Sequence, residues 1–417
     1  MKNKFALFVV ASMVLGVGVG YYCNQYLGEA DTATALETFK TITDIFLRLI
    51  KMIIAPLVLT TLVAGIGHME DAAAVGRIGA KTMAWFLGAS VVSLVMGILM
   101  VEWLQPGAEM AQMAAAAGEG LTAPTATTFS VSGFISHLVP SSIIDAMARN
   151  EILQIVVFAV FVGTAVSMLD NKAPQIMHLV EQMAEIMLKV TELVMKFAPF
   201  AIFASLAATV TKQGLPVLVT YAKFVGGFYL SLGMLWGLLF LLALLITGKV
   251  AFRLFGNIRE ATLLSFSTAS SEAAYPKLLE ALPKSGVPRK IVSFVLPLGY
   301  SFNLDGSMMY CTFATLFIMQ AHGVQLSVQQ IIAMLFLLLI TSKGIAGVPR
   351  ASLVVIMATL TYFGYPEAWI GLVLAVDHLL DMGRSATNVV GNTVASAVVA
   401  KWEGQLDKDE VPAPEKV

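Results

Sequence analysis

The chain has 417 residues, 58% of them hydrophobic and only 13% charged, with a net charge of -1 and a mean hydropathy of +0.81. A soluble protein carries roughly a quarter of its residues as charges, so this composition excludes an ordinary soluble domain and predicts an all-α polytopic membrane protein with the lipid bilayer as its solvent. No basic cluster marks a nucleic-acid surface, and Cys23 and Cys311 both lie in apolar segments, which argues against a disulfide framework or a cysteine metal site.

Apolar runs reaching the ~20 residues of a bilayer crossing predict spans at 5–27, 39–68, 82–104, 143–169, 174–211 and 217–247. The first is too long for a signal-peptide core and reads as a membrane helix. Arg77 and Lys81 follow the second span, Lys172 the fourth, and Lys249, Arg253 and Arg259 the sixth, with Lys284, Arg289 and Lys290 beyond. The alternate connections, 105–133 and 321–327, hold Glu109, Glu119 and His322 but no Lys or Arg. Basic connections stay in the cytoplasm, so both termini are expected there. Segment 105–133, rich in Ala, Gly and Thr, is expected to be a flexible external loop, and the tail after Trp402 to be disordered. Arg48 and Lys51 are expected to snorkel to an interface. Glu181, Glu185, Lys189 and Glu192 read as an interfacial or subunit-facing stripe rather than a site.

The second half repeats a plan. Residues 258–290 contain the serine-rich break Ser265–Pro276, and 327–365 the small-residue break Thr341–Arg350, each between apolar arms too short to span. Each is followed by a helix with a polar centre: 291–320, with Pro297, Gly299, Asn303, Asp305 and Gly306, and then 368–402. A helix broken at membrane depth frees backbone groups that lipid cannot satisfy, so the break must line a protein-walled cavity. An acid such as Asp305 beside it marks an ion or substrate pathway by default. Two interrupted segments in corresponding positions point to a transporter's midplane site, and half-helix N-termini there would bind an anion. In the last helix Asp377, Asp381, Arg384, Asn388 and Asn392 share one stripe, with Ser385 beside it. Arg384 offers a fork for a carboxylate and Asp381 a partner for an ammonium, which together fit a zwitterion with an extra carboxylate. The competing reading is an internal Asp–Arg pair that only holds helices together. A hydrolase would need a base for Ser271, and no His or Lys is placed to serve; nor is there a P-loop.

At these residues the chain resembles the glutamate transporter family, the dicarboxylate/amino acid:cation symporters, and within it the bacterial proton/glutamate-aspartate symporters. The resemblance covers about residues 5 to 403 and is most specific at Ser270-Ser271-Glu272, Asn303-Leu-Asp-Gly306, Gly344-Ile-Ala-Gly-Val-Pro349 and Asp377–Asn392. It implies eight transmembrane helices and two re-entrant hairpins built as inverted repeats, assembled as a homotrimer in the bacterial inner membrane and working as an elevator. Residues 1–78 and 143–215 would be scaffold. Residues 79–142 and 216–403 would carry the transport domain, gated by the second hairpin, with 404–417 as a cytoplasmic tail. The implied substrate contacts are Ser270, Ser271, Ser307, Gly347, Val348, Pro349, Asp381, Arg384, Ser385 and Asn388. Arg384 would take the side-chain carboxylate, Asp381 the amino group, and Asn388 and Ser385 the main-chain end. Cation coupling would involve Gly299, Ser301, Asn303, Asp305, Asn388 and Asn392, with sodium at Gly299, Asn303, Asn388 and Asn392 as one version.

The chain departs from sodium-coupled relatives at Asn392, where they carry an Asp, and at Leu304, where many carry a Met. Losing a carboxylate weakens a sodium site and favours protons, carried by a buried acid with a raised pKa: Asp305, Asp377 or Glu272. Arg350 replaces a small residue at the gate tip and would either pair with Glu272 or meet an extra negative group on the substrate. C4-dicarboxylate members tend to lack the acid of Asp381. The expectation is therefore a non-enzymatic, cofactor-free symporter importing L-aspartate or L-glutamate with protons. A sodium-coupled version and a succinate, fumarate or malate symporter are the alternatives.

Overall fold

A computed structural model describes residues 2–67, 74–116, 139–169, 174–342 and 351–406, and the regular structure among them is helical. The first half comprises α1 (Lys2–Tyr26), α2 (Glu29–Gly67), α3 (Ala74–Leu104), α4 (Ala108–Ala116), α5 (Ile143–Ala148), α6 (Ile152–Leu169), α7 (Pro174–Met195), α8 (Ala198–Gln213) and α9 (Val217–Thr247). Among the described residues, Leu7–Tyr26, Glu29–Ala64, Arg77–Leu104 and Val217–Thr247 are helices long and apolar enough to cross a membrane. The pair α7 and α8, bent by 45°, makes a fifth. Pro199 lies in the first turn of α8, where its missing N–H interrupts the ladder and accounts for the bend in what reads as one long span.

Two expectations need correction here. Helix α2 starts ten residues before the predicted edge, because Glu29 and Asp31 favour a helix N-terminus although they are not apolar. The segment expected to be loop from 105 holds helix α4, with its start seated on the Gln320 side chain and Glu109 ion-paired to Lys223. Residues 117–138 of that segment lie outside the described residues.

The second half comprises α10 (Val250–Asn257), α11 (Arg259–Thr268), α12 (Tyr275–Lys284), α13 (Arg289–Phe302), α14 (Asp305–Ala321), α15 (Val328–Thr341), α16 (Ala351–Tyr362), α17 (Gly371–Leu374) and α18 (Asp377–Trp402). Helices α11 and α12 are the two arms of the first expected hairpin, joined through a tip where Ala269 takes φ +48°. Helices α15 and α16 are arms of the second, whose break at 343–350 lies outside the described residues, as do Gly347, Val348, Pro349 and Arg350. Both polar-centred segments are broken: α13 stops at Phe302 and α14 restarts at Asp305, while α17 ends at Leu374 and α18 begins at Asp377.

The helices pack in two sets. Helix α1 lies along α8, and α2 packs on α6, α7 and α8. In the other set α14 runs along α3 and α18, and α18 also packs on α9, α11 and α13. Residues 305–319 are all buried, so α14 is enclosed on every side, as a helix apolar all round must be. The sets meet around Glu367–Leu374: Ser205 Oγ of α8 donates to the Gly371 carbonyl at 2.6 Å, and Lys51 of α2 is ion-paired to Glu367. Lys51 is thus committed to a partner in the protein rather than snorkelling, while Arg48 remains exposed. Arg77 and Lys81, at the start of α3, bind the Glu403 carboxylate at 2.8 and 2.7 Å, which puts that end of α3 and the C-terminal end of α18 on one side of the molecule. On α7, Glu185, Lys189 and Glu192 are exposed, and Lys189 pairs with Glu192 at 2.9 Å.

Candidate functional site

The two breaks meet. Asn303 and Leu304 have non-helical backbones (φ -127° and -102°), so α14 begins afresh with its first N–H groups unclaimed by a preceding turn. Two of them, on Gly306 and Ser307, donate to Asn388 Oδ1 of α18 at 2.9 and 3.3 Å. The Asn388 amide in turn donates to Ser307 Oγ at 3.1 Å. The helices can approach this closely because residue 306 lacks a Cβ, which would overlap the Arg384 carbonyl and lie 2.8 Å from Arg384 Cα. Gly306→Ala should therefore lower stability by about 1–3 kcal/mol through overpacking. Thermal unfolding in detergent against a Ser307→Ala control, which keeps the approach intact, checks this.

Around that junction lies the first cluster. Arg384 is 1% exposed. Its Nε donates to Asp381 Oδ1 at 2.7 Å and its Nη1 to Asp377 Oδ1 at 3.2 Å. Ser385 Oγ reaches Asp381 at 3.5 Å. Tyr310 of α14 donates to Asp377 Oδ1 at 2.8 Å and carries the Arg384 guanidinium 4.5 Å above its ring, a cation–π contact. Arg384 Nη2 has no hydrogen-bond partner among the described residues. The cluster thus holds one cation against two acids, with one guanidinium nitrogen still to be satisfied.

A second cluster lies further along the same stripe. Asn303 Nδ2 donates both to Asp305 Oδ2 and to Asn392 Oδ1, each at 3.2 Å, and Ser93 of α3 donates to Asp305 Oδ1 at 3.3 Å. Asn303 Oδ1 and Asn392 Nδ2 are buried and unsatisfied among the described residues. Gly299 sits against the Asn392 carboxamide, and its carbonyl accepts the Asn303 N–H at 2.8 Å. A Cβ at Gly391 would collide with the Asp305 carboxylate, so α18 presses directly on this acid.

Of the residues expected from sequence, Ser307, Asp377, Asp381, Arg384, Ser385 and Asn388 come together in the first cluster, and Gly299, Asn303, Asp305 and Asn392 in the second. The side chain of Ser301 lies outside the described residues. At the first hairpin tip Ser270 is half-buried and Ser271 buried, and the arm before them lies along α18. Glu272 is exposed at the tip. Sequence reasoning missed Tyr310 and Ser93. Tyr310 follows Ser307 by three residues on the same helical face and Ser93 lies inside an apolar span, but nothing in the pattern sets either apart from its neighbours until packing turns it toward an acid.

The sequence profile described as the Sodium:dicarboxylate symporter family matches residues 5–402. The chain is 39% identical to the proton/glutamate-aspartate symporter of Escherichia coli (strain K12), with 100% of this chain and 97% of that protein aligned. It is 36% identical to a proton/sodium-glutamate symport protein of Bacillus caldotenax, over 98% of this chain and 97% of that one. It is 37% identical to a C4-dicarboxylate transport protein of Laribacter hongkongensis (strain HLHK9), over 97% and 91%. With both broken helices, their paired polar clusters and a match across nearly its whole length, the chain belongs to the Sodium:dicarboxylate symporter family.

Proposed function

We propose that the chain is a secondary active symporter that imports L-aspartate and L-glutamate with protons across the bacterial inner membrane. The observation that carries the reading is the buried cluster of Arg384, Asp377 and Asp381. Burying charges costs several kcal/mol per ion, and a pair kept only for structure would tie two elements together. Among the described residues, Arg384 and both of its acids stand on α18 itself, so these two ion pairs staple no second helix. An arginine with a free Nη2 beside an aspartate suits a ligand bearing both a carboxylate and an ammonium.

Charge counting supports cation coupling. Among the described residues, one guanidinium stands against two carboxylates, a formal charge of -1 for these three groups. An anionic solute enters such a site more readily when a proton or metal cation enters with it. The acids assigned to take the proton are Asp305 and Asp377, both buried, or Glu272 at the hairpin tip. Substrate contacts are assigned to Ser270, Ser271, Ser307, Asp381, Arg384, Ser385 and Asn388, with the second hairpin as the gate. The two packed sets of helices support a scaffold and a moving carriage in an elevator cycle. Eight crossings, a homotrimer and cytoplasmic termini complete the proposal. Sodium coupling is the second reading, favoured by the unfilled Asn303 Oδ1 next to Asp305.

The test is uptake of labelled L-aspartate into proteoliposomes under a pH gradient without sodium, then a sodium gradient without a pH gradient, each competed with succinate. Uptake on the pH gradient, lost in Asp381→Ala, is the expected result. Uptake only on sodium would overturn the proton assignment, and succinate uptake indifferent to Asp381→Ala would overturn the amino-acid assignment.

A further inference from the structure

The flank of α18 beside the site stripe, which includes Thr387 next to Gly306, is held by α9 at two points. Tyr229 OH donates to the Leu379 carbonyl at 2.6 Å. Two turns along α9, Trp236 Nε1 donates to Thr387 Oγ1 at 2.7 Å, and that hydroxyl donates on to the Gly383 carbonyl at 2.9 Å. Between these points Leu232 and the Tyr229 ring close on Gly383, where a Cβ would stand 2.7 Å from Leu232 Cδ1 and 3.0 Å from Tyr229 Cε1. At about 100° per residue, Leu379, Gly383 and Thr387 centre roughly 130° around the helix from the stripe of Asp377, Asp381, Arg384 and Asn388. The two grips also bracket Asp381, Arg384 and Ser385 in sequence.

We infer that Tyr229 and Trp236 are positioning residues that set the axial rotation of α18 and so aim Arg384 and Asp381 at the substrate. Packing alone leaves a helix free to roll by small angles against its neighbours. A donor at each end of a two-turn segment fixes that angle, because rolling α18 lengthens both bonds together. The Leu379 carbonyl belongs to α18's own ladder, so the bond from Tyr229 is a second one, made only when the faces register, as is the bond from Trp236 to Thr387; the Thr387–Gly383 bond is local to α18. Thr387 relays the grip: its hydroxyl accepts from Trp236 on one side and donates to Gly383 on the other. The guanidinium stays over the Tyr310 ring only while this register holds. The inference rests on the substrate reading above for its transport readout, and a second readout is free of it.

The experiment compares Trp236→Phe, Tyr229→Phe, Thr387→Val and Thr387→Ser in proteoliposomes. Thr387→Val keeps the shape and removes the hydroxyl, whereas Thr387→Ser keeps the relay. Expected are a KM for aspartate raised at least fivefold in the first three with the maximal rate within twofold, and values within twofold of the parent in Thr387→Ser. In parallel, Ser385→Cys is placed in each background, and its modification rate by a methanethiosulfonate reagent is measured against the same background without it. That rate should change at least threefold in Trp236→Phe and Thr387→Val and return in Thr387→Ser. An unchanged KM and thiol rate, or equal defects in Thr387→Val and Thr387→Ser, would overturn the assignment. Should the parent take up no aspartate, glutamate or succinate, the substrate reading falls, and the thiol rates alone decide the positioning role.

Discussion

Arg384→Ala should abolish concentrative uptake of aspartate and weaken its binding by at least about 25-fold. Truncating one partner of a buried, hydrogen-bonded charge pair costs roughly 2–5 kcal/mol, and each 1.4 kcal/mol is tenfold in affinity. The parent holds Arg384 at 1% exposure between Asp381 and Asp377. The same change leaves two acids together in a buried site without their cation. Uptake loss therefore has to be separated from unfolding. Arg384→Lys does this: the ammonium still pairs with an acid and keeps the fold, but it lacks the planar fork and stacks less well on Tyr310. It should match the parent in thermal unfolding within a few degrees and still bind aspartate at least tenfold more weakly. Full binding by either variant, measured by calorimetry on protein that elutes as the parent does, would remove Arg384 from the substrate site.

Much of this site was legible because its chemistry is written in spacing. Asp377, Asp381, Arg384, Asn388 and Asn392 recur at three and four residues, and a helix can only put such residues on one face. The break at Asn303-Leu-Asp-Gly306 was legible for a different reason: polar and glycine residues amid an apolar run contradict an uninterrupted membrane helix. Three things resisted. Tyr310 and Ser93 look like ordinary members of apolar spans, and only the packing of α14 against α18 and α3 turns them toward acids. The early start of α2 and helix α4 were hidden because hydropathy reports where lipid is, not where a helix begins. The fate of Lys51 depended on Glu367, more than 300 residues away, and no local pattern carries a contact of that range. The same holds for the Trp236–Thr387 bond, whose two residues belong to unrelated stretches of sequence.

The substitution with the largest expected gain of function is Asn392→Asp, which should make aspartate uptake depend on sodium. In the parent, two oxygens, Asp305 Oδ2 and Asn392 Oδ1, converge on the single amide nitrogen of Asn303 at 3.2 Å each. A neutral carboxamide can share that donor with a carboxylate at no electrostatic cost. A second carboxylate cannot, because two buried like charges around one neutral amide repel, and the pair must either bind a proton or recruit a cation. The oxygens for a cation are at hand: both acids, and Asn303 Oδ1, which has no partner among the described residues. A hard monovalent cation favours such an oxygen set, and the gain of one full charge converts a weak site into a usable one. At neutral pH the variant should take up aspartate at least tenfold faster with an inward sodium gradient than without one, while the parent changes less than twofold. Raising the external pH should slow the parent and leave the sodium-driven variant nearly unaffected, since its coupling charge is then carried by the metal. If instead the variant keeps the parent's pH dependence and ignores sodium, residue 392 does not choose the ion.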